Sequence, residues 1–102
     1  MPMTNKASNA RKESELSLAV AAQLRAERAA ASMTIDELAR RSHVSKNALL
    51  NVLNGKRTAD VSQLDSICRA LGVRLIDLFV RAEERLVAER DHPADESHAS
   101  GE

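Results

Sequence analysis

Residues 34–57 read "TIDELARRSHVSKNALLNVLNGKR", a pattern that two short helices and a tight corner between them account for. Thr34 followed three residues later by Glu37 has the form of a capping box, in which two otherwise unpaired amide donors are satisfied reciprocally. A helix is expected from Ile35 to Arg41, with Leu38 and Ala39 facing inward. Ser45 is the next N-cap, worth about 1 kcal/mol if its hydroxyl accepts an amide hydrogen bond. Beyond it Ala48, Leu49, Val52 and Leu53 repeat at helical spacing, and Asn54-Gly55 closes a helix of about ten residues. Between the two helices stands only "SHVS", and a connection of three to four residues turns one helix sharply onto the next. The second helix is thereby left proud of the surface.

Charge singles out the same stretch. The chain of 102 residues has as many acids as bases, yet Ala39 to Ala59 holds five Lys or Arg and no Asp or Glu. From Glu83 to Glu102 the balance reverses, with seven acids against Arg85 and Arg90. A local basic patch is the electrostatic footprint of phosphate binding, and a neutral total can hide it.

Outward from this core, "MPMTNKASNARK" is small and polar, which predicts a flexible N-terminal arm over 1–13. Leu16, Val20 and Leu24 recur every four positions between Ser14 and Ala31, one face of a first helix. After "KRTA", Asp60 with Gln63 makes another capping-box pattern, and Val61, Leu64, Ile67, Cys68 and Leu71 form an inward stripe ending at Gly72. Cys68 is most simply a buried structural thiol. A last helix carries Leu75, Ile76, Leu78 and Phe79 and extends through "VRAEERLVAER" until Pro93 stops it. Residues 91–102 read as a disordered acidic tail. The domain proper is 14–90, all-α, with five helices and no strand signal.

Several function classes are disfavoured. His43, His92 and His98 with the single Cys68 lack metal-ligand spacing, and there is no glycine-rich phosphate loop or nucleophile with a base beside it. No cofactor, no metal and no enzymatic activity are expected. "LSLAVAA" after Lys6, Arg11 and Lys12 imitates a signal peptide, but Glu13 and Glu15 interrupt the basic flank and the helical pattern runs on. No apolar run approaches the roughly 20 residues of a membrane helix. A lone cysteine fits a reducing compartment, and a cytoplasmic location is expected. With Phe79 as the only aromatic residue, and placed in a core stripe, binding of single strands by stacking is disfavoured.

The segment "MTIDELARRSHVSKNALLNVLNGKRTADVSQLDSICRALGVRLIDLF" resembles the helix-turn-helix domain of the XRE, or phage-repressor-like, family of transcriptional regulators. The match covers about residues 20–80 and rests on the capped "TIDELA", the turn, the "NGKR" and the "ALGVRLIDLF" ending together. It implies a five-helix, lambda-repressor-like fold and duplex DNA as partner. Ser45, Lys46, Asn47, Leu50 and Asn51 become the base-reading candidates, at the opening and on the outer face of the recognition helix. Asn bonds adenine and Lys bonds guanine through paired major-groove atoms, and Leu50 either touches a thymine methyl or is a plain surface leucine. Thr34, Asn54, Gly55, Lys56 and Arg57 match positions that hold the sugar-phosphate backbone.

Some positions depart from the family pattern. His43 stands where glycine is common, and histidine tolerates a left-handed backbone better than most residues. Ser42 occupies a usually apolar position, and Ile35 replaces a glutamine that in many relatives approaches a phosphate. Where some relatives pair an arginine near the end of helix one with a glutamate late in helix three, the matching residues here are Arg28 and Leu53, so Arg28 must find another partner or stay solvated.

One such helix spans few base pairs, so a homodimer on two half-sites about 34 Å apart is expected. Phe79, Val80, Leu86 and Val87 supply either the dimer seam or a surface that folds back on helix one. The expected function is a transcriptional regulator, a repressor on an inverted-repeat operator. The alternative is a protein-interaction module on the same fold that docks a toxin or polymerase subunit.

Overall fold

A computed structural model describes residues 2–91, with side chains from Glu15 to Arg90. Five helices follow one another: α1 Pro2–Ala30, α2 Ile35–Ser42, α3 Lys46–Leu53, α4 Val61–Leu71 and α5 Leu75–Asp91. No strand occurs among the described residues. The acidic tail read from the sequence lies, beyond Asp91, outside them.

α1 begins well before Ser14, so the backbone of 2–13, read from composition as an arm, continues the helix. Pro2 suits the first helical position, where its missing N–H costs nothing, and neither proline nor glycine interrupts the stretch to Ala30.

Each helix contributes to one core. Leu24 of α1, Leu38 of α2, Leu49 of α3, Ile67 and Cys68 of α4, and Leu78 of α5 are the largest fully buried side chains. Each apolar one contributes about 1.5–3 kcal/mol by leaving water. α5 runs back along α1, α4 supports α2, and α3 rests on α2 and α1. Polar pairs tie α5 to α1: Arg90 with Glu15 at 3.2 Å, Arg85 with Gln23 at 2.6 Å and Arg81 with Glu27 at 2.6 Å.

Three inward assignments shift. Leu16 is 44% exposed, Val61 65% and Phe79 37%. Leu16 borders a cavity rather than the core, and Val20, Ala21 and Leu24 carry the burial on α1. Val61 is the first residue of α4 and projects past the core. On α5 the inward pair is Leu78 and Ala82, and Phe79, about 100° further round the helix, forms the rim of a shallow cavity of about 200 Å³ with Leu16, Val20 and Leu64.

The four connections are short and specified locally. α1 ends with Ser32 at φ 53°, where the Met33 amide reaches back to the Arg28 carbonyl at 3.3 Å. Arg28 also donates through Nη1 to the Met33 carbonyl at 2.8 Å. That is the partner it needs in place of a glutamate. α4 ends at Gly72, φ 78°, with the Val73 amide on the Cys68 carbonyl at 2.9 Å and the Gly72 amide on that of Arg69 at 3.2 Å, a Schellman closure.

Candidate nucleic-acid interface

The helix-turn-helix corner is built from caps. Thr34 Oγ1 accepts from the Glu37 amide at 3.0 Å, and Ser45 Oγ accepts from the Ala48 amide at 3.2 Å. Only half of the expected capping box at α2 forms, because the Glu37 carboxylate turns to Arg41 at 2.7 Å and Arg40 at 3.9 Å instead. At α4 Asp60 Oδ1 likewise accepts from the Gln63 amide at 2.7 Å, while the buried Gln63 Oε1 has no partner among the described residues.

His43 takes the left-handed conformation, φ 61° and ψ 26°, between α2 and α3. Ser42 explains its own burial: its hydroxyl donates to the Ala39 carbonyl at 3.4 Å and accepts from the Val44 amide at 3.3 Å. A usually apolar position thus carries a hydroxyl whose two bonds pin the turn. Val44 is buried beneath it. Ile35, in the place of a polar residue, packs against the core.

α3 lies outermost with one face in the core, where Leu49, Val52 and Leu53 are buried. Its other face carries exposed Lys46 and Asn47, with half-buried Leu50 and Asn51 one turn on. Asn47, Leu50 and Asn51 share that face at i, i+3 and i+4. Ser45 is exposed, its oxygen engaged as the cap and its O–H still able to donate.

At the far end of α3, Gly55 has φ 75° and its amide closes on the Val52 carbonyl at 3.1 Å. The amides of Lys56 and Arg57 both turn back to the Asn51 carbonyl, at 2.9 and 3.2 Å. The Gly55 amide, which the resemblance alone implied as a phosphate donor, is engaged within the chain. Gly55 instead lets the loop pass close to α1, since a Cβ there would meet Leu18 Cδ2 at 2.8 Å. Arg25 of α1 donates to the Leu53 carbonyl and fastens the same helix end.

Ion pairs sort the five basic residues of this surface. Arg40 and Arg41 are within reach of Glu37, and Lys46 Nζ lies 3.0 Å from Asp36 Oδ1. Lys56 and Arg57 are exposed and enter no ion pair among the described residues. The stretch that is free of acids in sequence is thus not free of them in space. Asp36 was missed because it precedes the segment and meets Lys46 only once the corner folds.

A recognition-type helix held on a capped corner, with amides on its outer face and exposed cations at its end, defines a helix-turn-helix protein. A profile of the helix-turn-helix domain family matches residues 11–78. A crystal structure of the clp gene regulator ClgR from Corynebacterium glutamicum is similar, with 32% identity over 83% of this chain and 87% of that one, at a TM-score of 0.71. A second structure of that regulator gives 34% identity over 69% and 91%, at a TM-score of 0.65. No curated protein matches the chain. The chain belongs to the helix-turn-helix family, of the XRE-like kind.

Among the described residues no helix is long and apolar enough to cross a membrane.

Proposed function

We propose that this protein binds duplex DNA sequence-specifically as a transcriptional regulator, a repressor that occupies an inverted-repeat operator as a homodimer. The observation that carries it is the outer face of α3: Asn47 and Asn51 one turn apart, with exposed Lys56 and Arg57 at the helix end, in no ion pair among the described residues. Asn47 and Asn51 read adenine edges and Lys46 reads guanine, while Ser45 and Leu50 complete the base-facing set. Thr34, Asn54, Lys56 and Arg57 hold phosphates, and Gly55 shapes the loop that presents the last two. The likeness to a clp gene regulator supports the regulatory role. Repression follows from occupancy alone, since nothing in the fold besides the DNA-binding domain is needed for it.

Dimerisation is supported by size and by surface. α3 has eight residues, about 12 Å of helix, which reaches only a few base pairs. α5 leaves Phe79, Val80 and Val87 exposed while Leu78 and Ala82 are buried in the core and Leu86 is half-buried beside α1. The exposed Phe79, Val80 and Val87 form the proposed dimer seam, and Leu86 turns to α1.

Selection from a random duplex pool tests the proposal. Enrichment of one inverted repeat with half-sites about one helical turn apart, bound as two chains per duplex, is the expected result. No enrichment, with weak binding to every duplex alike, contradicts it and favours a protein partner on the same helix.

A further inference from the structure

We propose that Asp36 is a positioning residue that sets specificity, by holding Lys46 for the bases and making its transfer to phosphate unfavourable. The inference rests on the DNA-binding function proposed above and deepens it.

Lys46 is the first residue of α3, and that first turn contains no acid. The positive end of the helix dipole disfavours a cation there. Asp36, in the first turn of α2, compensates across the corner at 3.0 Å, and both side chains are mostly exposed, 59% for Lys46 and 76% for Asp36. Neither is buried in a structural role, so the pair is free to respond to what docks on it.

An ammonium has three donors. Lys46 can therefore keep one proton on Asp36 while giving others to guanine O6 and N7, and the carboxylate fixes the direction of approach. At a step without guanine Lys46 finds only single acceptors, adenine N7 or thymine O4, in place of the O6 and N7 pair, and the phosphates compete for it. Reaching them means leaving Asp36, whose carboxylate is then left unpaired beside the DNA backbone, where like charges repel. Asp36 thus weakens binding to the wrong duplex more than to the right one, a form of discrimination by repulsion.

The test is anisotropy over a salt series with two probes, the duplex selected from the random pool and an alternating A·T duplex without guanine. Asp36→Asn, nearly the same shape without the charge, is expected to bind the A·T duplex about threefold to tenfold tighter near 0.1 M salt, as one phosphate contact is gained and one repulsion lost. Its salt slope on that duplex steepens by about 0.9, the value of one further phosphate contact. The ratio of selected to A·T affinity falls by about the same factor, and Asp36→Glu restores part of it. In a Lys46→Ala background the same change moves the ratio by less than about twofold, since the coupling has lost its partner. An unchanged or increased ratio for Asp36→Asn, with wild type binding normally, overturns this inference alone. Wild type that binds neither duplex in a salt-dependent way overturns the DNA-binding function and this inference with it.

Discussion

Gly55→Ala probes how the end of the recognition helix is fixed. Gly55 lies at φ 75°, and an added Cβ would stand 2.8 Å from Leu18 Cδ2. A β-carbon in the left-handed region costs about 1–2 kcal/mol, offset by about 0.4–1 kcal/mol because alanine narrows the unfolded ensemble. Leu18 is about half exposed, so its tip can swing aside at an off-rotamer cost of about 0.5–1.5 kcal/mol. The sum is a loss of about 0.5–3 kcal/mol, which lowers Tm by roughly 2–25 °C in a domain of this size. Gly72→Ala is the control, with φ 78° and nothing within 4 Å of the added carbon. It carries the backbone cost alone, about 0–1.6 kcal/mol. Urea denaturation followed by circular dichroism measures both, and Leu18→Ala should remove the excess at Gly55. If Gly55→Ala proves neutral or stabilising, as a plain helix-propensity effect would make it, the left-handed closure is refuted. If both glycines cost the same, the contact with Leu18 carries no energy.

Other consequences are open to direct measurement. Burial by itself would raise the Glu27 carboxyl, but hydrogen bonds from Arg81 and Gln23 and the Arg81 charge outweigh it and hold its pKa below the ordinary 4.5. A depressed carboxylate contributes stability that is complete above that ordinary value and lost as pH falls through the folded one; acid titration of stability should therefore be flatter below pH 4.5 for Glu27→Gln, and an unaltered acid limb contradicts this. Burial first, then the charges of Asp65 and Glu27, pushes the Cys68 thiol up to about 11. Iodoacetamide at pH 8 should then label native protein at least about a hundredfold more slowly than protein in urea, and equal rates would place the thiol at the surface. Thr34→Ala and Ser45→Ala should each lower stability by about 1 kcal/mol through the lost cap, as measured by urea midpoint; no change in either would mean that the cap bond does not persist in solution.

Features written within one turn of chain were readable in the sequence. Thr34, Ser45 and Asp60 cap their helices as the local pattern predicts, because a cap needs only its own amide three residues on. The left-handed His43 and the closures at Gly55 and Gly72 are equally local. Periodicity names a helical face but not how far a neighbour covers it. For that reason Val20 and Leu24 are buried while Leu16, on the same stripe, is exposed. Phe79 was drawn inward by its hydrophobicity, whereas the one-residue step from Leu78 turns it to the rim. Side-chain choices across the corner were beyond sequence reasoning altogether. Asp36 reaches Lys46 across an angle between helices that no spacing encodes, while Glu37 pairs with Arg41 at i, i+4 within α2 rather than with its own helix end.

In the proposed mode of binding, α3 reads bases with its outer face and is held on phosphates from its C-terminal end. Salt-titrated anisotropy of Asn47→Ala and Lys56→Ala, on the selected duplex and on its single-base-pair variants, separates the two roles. Asn47→Ala should lose about 1–3 kcal/mol of discrimination at one position with its salt slope unchanged. Lys56→Ala should weaken every duplex alike and reduce the slope by about 0.9. Variants that behave identically, or a slope that changes with Asn47→Ala and not with Lys56→Ala, would contradict it.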